Sequence, residues 1–344
     1  MNVTKIKSEP LTRAYATAHL KLDGKDFVLY ASESTVGVPG FAYAYDLAHP
    51  EQPELVWDNA GGCMAIVQHP YEEDAFLAVQ EFYLKENPSR AKIVTGKRSK
   101  DGKWTVKDLV SVPLVHRFGF IRDEGTAYLV ICTVARQKDN KDDWSKPGEI
   151  FVAPLPKGDE PVQLTLLQTG LFKNHGFYSY QEDGKDVICV GSENGAYTIR
   201  RSHGAFQMEK ILDGAIGEVA LHDIDGDDKL ELLTIEPFHG NRIRLYHLNE
   251  ENKYKPIWEY APEIDFAHAL TGGQLMGKEC FVAGIRKANG EAFALYEENG
   301  RYVTELIDQG CGPANLCIIH VNGKEYVSCA NHMTGECALY EIEP

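Results

Sequence analysis

Three histidines stand in the same relation to the glycines that follow them. His116 is nine residues before Gly125, His175 nine before Gly184 and His268 nine before Gly277. Each glycine lies in a turn-like segment, "RDEGTAYLVI", "EDGKDVICV" or "MGKECFVAG", and each histidine stands near the start of the run leading into it. One histidine in a strand is more often a packed or hydrogen-bonded residue. Three at a repeated spacing are harder to assign to packing, and imidazole is the commonest transition-metal ligand. Three of them would hold Mn²⁺, Fe²⁺, Zn²⁺ or a similar ion and leave positions open for water or substrate.

Counting nine residues forward from the same kind of glycine gives Glu33, Glu193, Arg286 and His332, and an allowance of one residue adds Glu81 and Glu236. His239 in "EPFHGNR" and His332 in "ANHMTGE" occupy similar loops. A metal held by the three histidines would polarise a substrate carbonyl or carboxylate and acidify the neighbouring C–H. A base among Glu81, Glu193, Glu236, His239 and His332 would take the proton. Arg286 would steady the enolate-like charge or a carboxylate. Loss of a β-hydroxyl or glycosidic oxygen would complete an elimination, and return of the proton elsewhere an isomerisation. Tyr15, Glu33, Phe177 and Tyr178 are expected as contacts for a polyhydroxylated, sugar-derived substrate. The glutamates would serve equally well to cap loops or pair with Lys and Arg. Set across a glycosidic bond they would make a glycoside hydrolase, a reading that leaves the histidines without a role. A non-catalytic propeller scaffold is the third reading.

The elements that must position these residues repeat. The glycine turn recurs as "LDGKDFVLY" at 22–30, "EDGKDVICV" at 182–190, "MGKECFVAG" at 276–284 and "VNGKEYVSC" at 321–329, with weaker copies at 71–80, 122–131 and 225–235. From Gly24 to Gly323 the seven copies are spaced about 50 residues apart, the upper end of propeller blade periods. In each, an alternating run enters an Asp/Asn-Gly-like hairpin and a β-rich run leaves it. A third strand follows (such as "FAYAYDL" or "GAYTIRR"), then a more polar fourth ("ELVWD", "VQLTLLQ", "YVTELID"). This predicts an all-β, seven-bladed β-propeller with four antiparallel strands per blade and no helix. The seventh copy ends at "CALYEIEP" without a fourth strand, while "NVTKIKSEP" at 2–10 resembles "YVTELIDQG". Residues 2–10 are therefore expected to complete blade seven and remove an open sheet edge. The chain, 1–344, then reads as a single propeller domain.

Composition narrows the partners. A formal charge of −16 over 344 residues argues against nucleic acid or an anionic membrane. No apolar run is long enough for a membrane helix, and the start lacks a secretory pattern. Eight cysteines without a Cys-x-x-Cys pair suit a reducing cytoplasm better than a disulfide scaffold. The expected partner is a small carbohydrate.

A second candidate is local. "HDIDGDDKLE" sets Asp223, Asp225, Asp227 and Glu231 at positions 1, 3, 5 and 9, a spacing that wraps oxygens around Ca²⁺. A plain Asx turn would use the same residues. Together with the seven glycine-anchored repeats, this stretch resembles the FG-GAP/VCBS type of propeller repeat, including the propeller of the aldos-2-ulose dehydratase family. Asp228 stands where that repeat usually has glycine. The resemblance implies calcium in blade five and dehydration of keto-sugars. The histidine constellation is similar in kind to that of oligogalacturonate lyases, seven-bladed propellers that hold a divalent metal through histidines at the channel mouth.

Overall fold

The hairpins form where the turn residues permit left-handed backbone. In the computed structural model, which describes residues 1–35, 37–83 and 88–344, Asp23 and Gly24 have φ of 52° and 73°, and Asn322 and Gly323 have 52° and 76°. Two successive positive φ angles define the type I′ turn, whose twist matches that of the strands it joins. Asp and Asn tolerate the first position and glycine takes the second without cost.

Each hairpin extends into a four-stranded antiparallel sheet, seven in all. Blade one is built from Ala14–Leu22, Lys25–Ser32, Gly40–Asp46 and Pro53–Ala60. Blades three, four, five and six begin with the inner strands Val115–Asp123, Gly176–Glu182, Glu218–His222 and Ala267–Leu275. Blade three's outer strand is Thr165–Leu171, three residues later than the "VQLTLLQ" pattern suggested. Middle strands are apolar on both faces, as in Phe281, Val282 and Ala283, because each blade packs between two neighbours. Outer strands alternate with solvent and leave Leu55, Leu166, Ile257 and Leu306 exposed.

Blade seven takes three strands from the C-terminal part of the chain, and Asn2–Pro10 pairs with Glu336–Glu343 as its fourth. Lys5 reinforces the closure through Asp308 of blade six at 2.8 Å and Glu336 at 3.0 Å. Among the described residues a single 3₁₀ turn, Pro88–Arg90, is the only helical element. None of their helices is long and apolar enough to cross a membrane. All eight cysteines are free, and all but Cys317 are fully buried.

The inner strands start at one end of the channel and run toward the hairpin glycines at the other. Further along the channel, Tyr178 of blade four crosses to blade six. Its hydroxyl lies 3.3 Å from the Gly272 carbonyl and 3.1 Å from the Gly272 N–H. A Cβ on Gly272 would meet His222 Cβ of blade five at 2.7 Å and the Tyr178 hydroxyl at 3.1 Å, so glycine there lets blade five and Tyr178 approach the blade-six strand closely.

Candidate functional site

The inner strands of blades one, three, six and seven share a defect at one place. Pairing with the second strand skips one residue between Ala14 and Ala16, Val115 and Arg117, Ala267 and Ala269, and Pro313 and Asn315. The skipped residues are Tyr15, His116, His268 and Ala314, the positions nine before the anchor glycines. A β-bulge of this kind bends the strand and re-aims the side chain. Here it turns Tyr15, His116 and His268 toward the channel axis. His175 reaches the same place from just ahead of the blade-four strand, its N–H bonded to the Gly191 carbonyl at 3.1 Å.

The imidazoles of His116, His175, His239 and His268 pack as one cluster. Ring centroids are 4.3 Å apart for His116 and His175, 5.0 Å for His175 and His239, 5.1 Å for His175 and His268, and 5.1 Å for His239 and His268. His239 comes from the blade-five loop and is stacked between Phe238 and Phe266 at 3.7 and 4.2 Å. One ring nitrogen from each of His175, His239 and His268 lies within 4.8 Å of the others, a separation that can hold a metal ion. The trio therefore differs from the one expected by spacing. His239 stands with His175 and His268, while His116 turns its Nε2 to the Tyr15 hydroxyl at 3.1 Å. The same hydroxyl lies 3.3 Å from His268 Nε2.

Neighbouring acceptors fix the proton positions. His268 Nδ1 is 2.5 Å from the Ala314 carbonyl, and His175 Nδ1 is 3.3 Å from the Gly217 carbonyl. A carbonyl only accepts, so both Nδ1 atoms carry the hydrogen and both Nε2 atoms present lone pairs inward. His175 Nε2 and His116 Nδ1 are buried and have no hydrogen-bond partner among the described residues. Burial first, then neighbouring imidazole and arginine charges, drive all four imidazoles well below their ordinary pKa and keep them neutral. Burial likewise keeps the Tyr15 phenol protonated.

Two buried residues that spacing did not single out support the cluster. Glu218 Oε1 is 2.6 Å from His175 Nδ1 and 3.8 Å from the Arg117 guanidinium. Burial pushes the Glu218 carboxyl up to about 8, against the pull of Arg117. Arg117 also donates to the Met64 carbonyl and to Asn315 Oδ1, and Asn315 donates to the Tyr15 carbonyl at 2.6 Å. Glu218 lies one residue past the ninth position before Gly226, inside the allowance that admitted Glu81 and Glu236. Arg117 gave no signal, because strand alternation turns the neighbour of an inward residue outward; the bulge at His116 breaks that alternation.

Above the cluster is a cavity of about 100 Å³, lined by Tyr15, His116, His175, His239, Glu33, Arg13 and Arg286 with aromatic walls from Phe82, Trp144 and Phe238. Glu33 joins Arg13, Arg286 at 3.3 Å and His332 at 3.0 Å. Burial opposes its ionisation, but the His332 hydrogen bond and the arginines outweigh it and hold the carboxyl down to about 2. Trp144 arrives on the loop between Thr133 and Gly148, the charged segment of blade three, with Lys138 Nζ 3.2 Å above its ring.

The remaining expected residues lie elsewhere. Glu81 accepts the Gly61 N–H at 2.9 Å and pairs with Arg90. Glu193 pairs with Lys173 at the exposed rim. Glu236 is held by Thr234 at 2.8 Å, Tyr246 at 2.7 Å and Arg244 at 3.2 Å within its own blade. None of the three lines the cavity. Phe177 packs beside Gly119 of blade three, and Tyr178 hydrogen-bonds across to Gly272 of blade six; neither lines the cavity.

Fold and site together define a seven-bladed propeller with a neutral imidazole cluster under a charged channel mouth. The chain matches no protein-family model, and no curated protein is similar enough to it to count as a relative.

Proposed function

We propose that the protein is a metal-dependent carbon–oxygen lyase or isomerase acting on a sugar-derived substrate at the channel mouth. The observation that carries this reading is the buried Nε2 of His175, unpartnered among the described residues and set beside the ligand atoms of His239 and His268. A neutral lone pair buried without a donor is costly unless something satisfies it, and three neutral imidazoles brought together suit a divalent ion of the Mn²⁺, Fe²⁺ or Zn²⁺ type. Such an ion supplies Lewis-acid polarisation of a carbonyl or carboxylate.

The chain's own groups supply the rest. Glu218 and the Gly217 carbonyl orient His175, and the Ala314 carbonyl orients His268. Arg13 and Arg286 bind a substrate carboxylate; two guanidinium groups against one lining carboxylate give this mouth a local positive excess in an acidic chain. That balance favours a uronic acid over a neutral keto-sugar. Trp144 and Phe238 offer apolar faces to a sugar ring. His116 Nδ1, neutral and without a hydrogen-bond partner among the described residues, accepts the proton from carbon. The Tyr15 hydroxyl gives its proton to the departing oxygen and regains one from His116 Nε2, 3.1 Å away. Proton loss from carbon and departure of the oxygen leave a double bond; a proton returned to the other carbon gives an isomer.

A paired-carboxylate hydrolase is less well supported, because Glu33 is the single carboxylate lining the cavity among the described residues. The likeness of the histidine constellation to that of oligogalacturonate lyases points to the same substrate class, and a cytoplasmic setting suits it.

The test is to load the protein with Mn²⁺, Fe²⁺ or Zn²⁺ and screen uronides and keto-sugars for a new ultraviolet-absorbing double bond or an isomerised product. Turnover should fall at least 100-fold in Tyr15→Phe, within the usual contribution of general acid–base groups of about 10²–10⁴, and should vanish in His175→Ala. Release of reducing sugar without a double bond or isomer, or turnover that survives chelation, contradicts the proposal.

A further inference from the structure

A second convergence of ligand-type side chains lies on blade five, at the hairpin end of its inner strand. The chain turns through residues 223–230 between Glu218–His222 and Glu231–Glu236. Asp225, Asp227, Glu231 and His247 each place one ligand atom within 4.8 Å of the others. His247 belongs to the third strand, Arg242–Leu248, so the cluster joins the turn to a strand that local spacing does not reveal.

Asp223 is not in the set. Its two oxygens accept the N–H groups of Gly226 at 2.7 Å and Asp228 at 3.0 Å, so it builds the turn. The groups that converge are therefore three carboxylates and an imidazole, rather than the oxygen-only series at positions 1, 3, 5 and 9.

A separate observation points to a ligand. Glu231 is fully buried, and only one of its oxygens is used: Oε2 accepts the Ile224 N–H at 2.9 Å. Oε1 has no hydrogen-bond partner among the described residues and faces the cluster, 3.6 Å from His247 Nε2. His247 Nε2 is 3.0 Å from Asp227 Oδ2. The Lys229 ammonium, 3.2 Å from that same Asp227 oxygen, is on an exposed side chain and is free to swing away. An unsatisfied buried carboxylate oxygen facing two more carboxylates is stabilised by a cation.

The donor set selects among cations. Ca²⁺ takes six to eight oxygens at roughly 2.3–2.6 Å. An imidazole with carboxylates suits Zn²⁺ or Mn²⁺ better. We propose that Asp225, Asp227, Glu231 and His247 form a second divalent-cation site, of the Zn²⁺ or Mn²⁺ type, that ties the blade-five turn to the third strand. It stands independently of the function proposed for the channel mouth.

The experiment is equilibrium dialysis of the chelator-stripped full chain against Zn²⁺, Mn²⁺ and Ca²⁺. It is run on the wild type and in a His175→Ala, His268→Ala background that disables the channel cluster. One equivalent of Zn²⁺ or Mn²⁺ should remain in that background. His247→Ala and Asp225→Asn should each weaken it at least ~10-fold, the scale on which even supporting residues tune metal sites. Asp225 is exposed, so Asp225→Asn reports on binding in a folded chain. Ca²⁺ should bind at least ~10-fold more weakly than the better of the other two. The proposal is overturned if no equivalent remains, if affinity is indifferent to His247→Ala, or if Ca²⁺ binds tightest.

Discussion

The chemistry at the channel mouth depends on which nitrogen of each imidazole faces inward. His175 and His268 are committed by carbonyls behind them, and Glu218 stands as a second support for His175 at 2.6 Å. Removing such a partner typically costs 10–100-fold in metal affinity. Glu218→Ala should therefore weaken Zn²⁺ or Mn²⁺ binding at the channel cluster by about that factor, measured by competition with a chromophoric chelator. Unchanged affinity in a folded variant would remove Glu218 from the positioning role. The sequence made His116, His175 and His268 visible because their spacing to a glycine survives any detail of packing. It did not reveal that Arg90, Lys173 and the Arg244–Tyr246 pair draw Glu81, Glu193 and Glu236 away. Those pairings depend on side-chain direction, which residue type and spacing leave open.

At the scale of elements, the bulge is what converts a strand into a site. Regular alternation would let only one of His116 and Arg117 face the channel. The skipped pairing after Val115 brings the first to Tyr15 and the second to Glu218. Nothing in the local composition announces that defect, so Arg117 was beyond a reading by period. The closing strand was legible, because blade seven lacked a fourth strand and residues 2–10 matched its pattern. Its pairing runs the length of Glu336–Glu343. Deleting residues 2–10 should lower the melting temperature and produce self-association that grows with concentration in sedimentation velocity, since an unpaired edge strand invites another chain. A truncated protein that melts and sediments like the full chain would contradict the closure.

For the whole molecule, buried ionisable groups set the pH range of stability. The four channel imidazoles resist protonation when folded. The unfolded chain takes up those protons below about 6.5, so stability falls as pH drops through that value. Glu218 works the other way. Its folded carboxyl holds a proton up to about 8, whereas the unfolded carboxyl loses it near 4.5. Stability from this group declines as pH rises between those limits and is level above them. Glu231, raised to about 7, adds the same trend over a narrower window. The metal-free protein should be most stable near pH 6.5, with a steeper fall on the acid side, where four histidines outweigh two carboxyls. Melting temperatures across pH 4.5–8.5 in chelator would show it, and a stability that rises from pH 6.5 to 8 would contradict it.

The central claim is that the imidazoles at the channel mouth hold a metal. Its most direct test is metal content by mass spectrometry of the chelator-stripped protein after refilling with Mn²⁺, Fe²⁺ and Zn²⁺. The wild type is compared with a folded His175→Ala, His239→Ala, His268→Ala variant. The account predicts that the variant binds one equivalent fewer than the wild type. Equal metal content in the two proteins, or none in either, would contradict it.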